Sequence, residues 1–190
     1  MILELNEVLL EGEPHTLSLM AKTGQLTCLT GGTPARRLRW LRAMQGFERI
    51  CNGFISIDGE PLTPRSASVF RQLIAYAPQS LPPVGEVDVL PPPSVQDIFN
   101  LKANRERPIS NGILAEEMRR IAGQQTNDDP RTKLLAVAVL LGKPILLVDT
   151  PSDKALPYLL GQATTGKAVI VATEAPAYQE AADSQAILIS

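Results

Sequence analysis

Short apolar runs recur along the chain, separated by glycine, proline and capping residues, and their order predicts strands alternating with helices. Ile2–Leu10 and His15–Met20 each alternate partially around Gly12, predicting a β-hairpin. Gln25–Thr30 is the next strand, stopped by Gly31-Gly32. Thr33 then suits the N-cap of a helix and Pro34 its first helical position. Leu38, Leu41 and Met44 recur at helical spacing, and Trp40, Ala43 and Phe47 widen that apolar face, so this helix should be covered. Gly53–Asp58 alternates and turns at Asp58-Gly59; a short helical piece around Ser66–Leu73 and a strand at Ile74–Ala77 follow, closed by Pro78-Gln79.

From Ser80 to Pro93 the chain is proline-rich without a reliable period, and Pro91-Pro92-Pro93 should be stiff and extended. Ser94 and Asp97 form a capping pair for a helix over Val95–Ala103, and a second helix is predicted over Ile113–Ile121. Residues 80–125 therefore read as a helical insert between two parts of a core, 1–79 and 126–190. In the second part, helices are predicted at Arg131–Leu141, Lys154–Leu160 and Ala175–Ala182, and strands at Ile145–Asp149, Ala168–Thr173 and Gln185–Ile189. Strands bounded by helices on both sides imply an α/β fold with a largely parallel sheet covered on two faces, preceded by an antiparallel β part.

The chain's 190 residues can bury a full core. Eighteen basic residues against twenty acidic ones give a formal charge of -2, so no whole-molecule field gathers nucleic acid or anionic membrane. No nucleic-acid partner is expected. The longest apolar run, Leu134–Leu141, is too short to span a bilayer, and the start of the chain lacks a basic stretch leading an apolar one. The expected location is cytoplasmic, reaching the inner face of a membrane only through a partner. Cys28 and Cys51 each lie beside apolar residues and read as buried thiols.

Two segments carry candidate chemistry: Leu26–Phe47, a strand, a glycine turn and a helix, and Ile145–Ser152, a buried strand ending in a carboxylate. A phosphate loop, G-x-x-x-x-G-K-[ST], aims backbone N–H groups and a helix N-terminus at the anion, with a lysine on the outer phosphates and a hydroxyl on magnesium. Counted from Gly31 without gaps, Arg36 takes the second glycine's place, Arg37 the lysine's and Leu38 the hydroxyl's. Pro34 brings no N–H, Arg36 disfavours a positive φ, Arg37 offers a planar fork, and Leu38 cannot ligate a metal. Arg36, Arg37, Arg39 and Arg42 crowd the start of one helix, where the macrodipole opposes them unless an anion or an acidic partner is near. They read either as an anion site, with Gly31, Gly32 and Thr33, or as solvated side chains.

Taken together, these segments resemble the ATP-binding subunit of ABC transporters, a P-loop NTPase-like fold. The likeness runs through LTGGTPARRLRWLRAMQGF, GFISIDGEPL, RQLIAYAPQS with Gln79, SVQDIFNL, KLLAVAVLLGKPILLVDTPS and AVIVATEAPAYQEAADS. It implies ATP and Mg2+ as ligands, with Gly31, Gly32, Thr33, Arg36, Arg37 and Gln79 near nucleotide and Asp149 near the metal. It also implies a second ABC-type subunit and a membrane permease as partners. Under the same resemblance Thr150 stands where the family has its water-polarising glutamate, and Glu174 where it has its switch histidine. Thr126-Asn127-Asp128-Asp129 overlies the Ser-Gly-Gly-Gln signature, and no aromatic residue precedes Trp40 to stack on adenine. A threonine hydroxyl is no general base near neutral pH, and a carboxylate at position 174 repels a terminal phosphate. The expectation is a degenerate subunit, poor in hydrolysis, with an assembly or regulatory role. The alternatives are a functional half of a heterodimeric transporter ATPase and a non-enzymatic anion- or protein-binding module.

Overall fold

The computed structural model describes residues 1–80, 109–123 and 129–189. The antiparallel part comprises β1 (Ile2–Leu10), β2 (Leu17–Lys22), β4 (Ile50–Ile57) and β5 (Glu60–Pro61), ordered β2-β1-β4-β5. Leu3 and Leu5 of β1 face inward, as do Val8 and Leu10, so the inward set changes from odd to even positions. The register shift between Leu5 and Val8 accounts for that change: a bulge, with Glu7 at φ 45°, re-phases the strand and makes its alternation only partial in the sequence.

The parallel sheet contains β3 (Leu26–Gly31), β6 (Ile74–Ala77), β7 (Ile145–Asp149), β8 (Ala168–Ala172) and β9 (Ser184–Leu188), ordered β6-β7-β8-β3-β9. Every residue of β7 and β8 is buried, which is why both segments read as continuous apolar runs. Ile145, Leu147, Ala168 and Ile170 face one core, shared with the antiparallel sheet, with Trp40 and Leu41 of α1 (Pro34–Ala43) and with Met44, which caps its end. Leu146, Val148, Val169 and Val171 face a second. That second core is covered by α3 (Asn111–Ala122), α4 (Pro130–Leu140), α5 (Leu156–Thr164) and α6 (Pro176–Ala181). A short α2 (Ala67–Leu73) leads into β6, and a 3-10 turn, Asp153–Ala155, leads into α5.

The expected α/β architecture is therefore present, with shifts at several ends. The second hairpin strand is Leu17–Lys22, not His15–Met20, and β4 begins at Ile50. Cys51 is exposed, unlike Cys28. Phe47 is also exposed, with the Arg71 guanidinium 5.1 Å above its ring, so it does not extend the buried face of α1. The predicted Val95–Ala103 helix, the Pro91-Pro92-Pro93 segment and Thr126-Asn127-Asp128 lie outside the described residues.

Candidate functional site at the carboxyl edge of the parallel sheet

In a parallel sheet all strand carboxyl ends share one edge, which gathers residues distant in sequence into one crevice. Here β3 delivers Gly31, β6 leads to Gln79, β7 ends at Asp149, and β8 leads to Glu174. The ladder continues past the strands: Thr150 N donates to Ala172 O at 2.9 Å and Thr173 N to Leu29 O at 3.0 Å. The backbone hydrogen bonding of the sheet thus extends past the strand ends at this edge.

Only Gly32 and Thr33 lie between the end of β3 and the first residue of α1. Both glycines have positive φ, +78° at Gly31 and +62° at Gly32, and an added Cβ on Gly31 would sit 2.5 Å from Leu188 O. Thr33 caps the helix as its sequence predicts, with Oγ1 accepting from Arg36 N at 3.2 Å. Arg37 N donates to Thr33 O at 3.0 Å, so residues that the motif count assigns to a loop form the first helical turn.

The four arginines of α1 meet carboxylates of the same chain. Arg37 is buried, its side chain 4% exposed, and its Nη1 donates to Gly31 O at 3.1 Å, Gly32 O at 3.0 Å and Glu174 Oε1 at 2.5 Å. Arg36 pairs with Glu13 at 2.7 Å and donates to Ile189 O. Arg39 reaches Glu13, Glu48 and the Glu11 carbonyl, and Arg42 reaches Glu48 at 2.9 Å. Glu13, with a side chain only 3% exposed, ties the β1–β2 turn to the start of α1. Sequence reading missed Glu13 and Glu48. The available signal was the macrodipole conflict itself, since four arginines at a helix start demand nearby anions. Arg37 is accordingly a buried charge rather than a solvated one.

Asp149 is buried at the end of β7, where Thr150 Oγ1 donates to its Oδ1 at 2.9 Å and the Gln79 backbone N–H to its carboxylate. Burial raises its pKa, opposed by those two hydrogen bonds and by the charge of Arg37. Thr150 holds φ 46°, a left-handed conformation costly for a β-branched residue. Cys28 lies beneath, its pKa pushed up to about 11 by burial and the nearby Glu174 carboxylate, partly offset by Arg37. Among the described residues, no group of three or more His, Cys, Asp or Glu side chains is placed to hold a metal ion. No helix among them is long and apolar enough to cross a membrane.

Farther from the crevice, Tyr158 of α5 donates its hydroxyl to the buried Glu117 carboxylate of α3, which Arg120 also meets at 3.3 Å. This bond and the apolar side chains Leu114 and Ile121 fix α3 to the second core.

No family model matches the sequence. Over 105 residues the chain is 30% identical to the arabinose import ATP-binding protein AraG of Pectobacterium atrosepticum, a match covering 55% of this chain and 20% of that protein. The match thus spans about a fifth of the length of that curated relative. Among solved structures, an ATP-binding subunit of an ABC transporter superposes with a TM-score of 0.71 at 17% identity, covering 99% of this chain and 86% of the other. A bacterial Atm1-family ABC exporter with ATP bound gives 0.69 at 15% identity, covering 98% of this chain and 37% of the exporter chain. The protein has the fold of the ABC-transporter ATP-binding domain.

Proposed function

We propose that this protein is a degenerate form of the ABC-transporter ATP-binding domain that does not turn over ATP and acts in assembly or regulation, beside a competent ATP-binding subunit and a membrane permease. In this reading residues 1–79 and 126–190 are the core and 80–125 a shortened helical insert. One observation supports it above the others: α1 begins at Pro34, directly after Gly32 and Thr33. A triphosphate needs a loop long enough to wrap it, with several N–H groups converging on its oxygens. Here the N–H groups of Arg36 and Arg37 are used within the first turn.

The remaining residues do not fit ATP with Mg2+. Leu38 has no oxygen for the metal, Thr150 gives its hydroxyl to Asp149, and Glu174 neutralises Arg37. Asp149 keeps a carboxylate at the strand end, which by itself is a weak metal site. Titrating ATP and Mg2+ into the purified chain in a calorimeter should give no micromolar binding, and phosphate release should stay at the blank rate. A one-to-one isotherm with turnover would overturn the reading.

A second reading, the functional half of a heterodimeric transporter ATPase, draws on the 105-residue likeness to an import ATP-binding protein. On that reading the chain alone is inactive but raises turnover of a co-purified ATPase subunit several-fold; no stimulation by any such subunit counts against it. An open anion-binding surface is the least favoured, because each α1 arginine already meets a carboxylate.

A further inference from the structure

The charge balance at Arg37 points to a property beyond loss of turnover, and it rests on the closed-turn reading above. The guanidinium is buried, and its ion-pair partner is Glu174, whose side chain is 54% exposed. One member of the pair is therefore fixed in the protein and the other sits at its mouth. Arg37 Nη1 is held by the Gly31 and Gly32 carbonyls, while Arg37 Nε is buried without a hydrogen-bond partner, so the cation keeps a donor unused. Such a donor is costly to bury, and a buried cation without a counter-ion is costlier still. Asp149, the other carboxylate that acts on Arg37, is engaged by Thr150 and the Gln79 backbone.

We propose that Glu174 is an internal, displaceable anion filling a small oxyanion site built from Arg37 at the Gly31-Gly32 turn. The carboxylate joins the turn after β3 to the segment after β8, holding the two strand ends together without an external ligand. When Glu174 leaves, the site accepts a compact oxyanion such as formate or inorganic phosphate, delivered from solvent through the space vacated by the glutamate.

Chemical rescue tests this. Glu174→Ala keeps the backbone and removes the carboxylate, and its thermal midpoint should fall by about 5 °C, a figure discounted for the exposure of Glu174. Formate or phosphate, compared with chloride at matched ionic strength, should restore at least half of that loss and leave wild type within a degree or so. Arg37→Met combined with Glu174→Ala should abolish the response. If Glu174→Ala does not fold, Glu174→Ser, which also removes the carboxylate and vacates its space, takes its place under the same criteria. An unchanged midpoint, a loss that neither formate nor phosphate restores, or equal responses in wild type and variant overturns the proposal. Failure of the non-hydrolytic reading shows separately, as ATP binding and turnover by wild type, whatever the anions do to the variant.

Discussion

At the scale of single residues, the segment Asp149-Thr150 combines two unfavourable features in adjacent positions: a buried carboxylate and a β-branched residue at φ 46°. The left-handed conformation costs an L-residue roughly 1–2 kcal/mol, while the Thr150 hydroxyl returns about 1 kcal/mol through its bond to Asp149. Asparagine tolerates this conformation and can still donate to Asp149. Thr150→Asn should therefore stabilise the fold by about 0.5–1 kcal/mol in urea unfolding, whereas Thr150→Val, which keeps the strain and loses the donor, should cost about 1–2 kcal/mol. Asp149 has a linked pH signature. Its folded pKa is raised above the ordinary aspartate value, mainly by burial, so the native state binds its proton more readily than the unfolded chain. Its contribution is favourable below the unfolded value and is lost as pH rises through the folded one. Asp149→Asn should accordingly gain stability relative to wild type as pH is raised from about 3.5 to 7. Parallel urea titrations at both ends of that range measure the difference, and a gap that narrows or stays constant would show that the hydrogen bonds outweigh desolvation.

At the scale of elements, the sequence contains two conflicting signals for the start of α1, and the structure resolves them through local chemistry. Spacing from Gly31 places a loop up to Arg36, whereas the Thr33-Pro34 pair announces a helix at Pro34; the cap wins, closed by the Thr33 hydroxyl. Local signals of this kind made most strands and helices legible, because β7 and β8 are buried on both faces and their apolar runs have no other use. The shifted start of β2 was not legible, since the preceding turn is drawn to α1 by Glu13, a contact between residues 23 and 26 positions apart. The Arg37 to Glu174 pair spans 137 positions and emerges only from the parallel topology. Gly31 supports that junction twice, by its φ of +78° and by the absence of a Cβ against Leu188 O. Gly31→Ala should cost about 3 kcal/mol, combining strain with a backbone clash that cannot relax locally. Gly24→Ala is the control: φ is +90° but nothing lies within 4 Å, so the cost should be only about 1–2 kcal/mol. Equal losses at the two positions would show that the contact with β9 carries no load of its own.

At the scale of the whole molecule, the parallel sheet separates two cores, and its inner strands are sealed by neighbours on both sides. The edge strand β9 differs: it pairs with β3 and, among the described residues, with no strand on its other side. Ala186 and Leu188 point into the first core, while Ile187, together with Ile189 just past the strand, is about 60% exposed. The strand SQAIL contains no charged residue, proline or glycine, the devices that ordinarily discourage pairing between edges. An uncharged edge with exposed β-branched side chains favours self-association at high concentration whatever the protein's partners are. Ile187→Lys leaves the inward residues untouched and places a charge on that edge, so unfolding stability should stay within about 0.5 kcal/mol of wild type. The concentration at which light scattering rises should increase several-fold. If the variant scatters at the same concentration as wild type, association proceeds through another surface, with the exposed Phe47 and Val69 as the next apolar side chains to test.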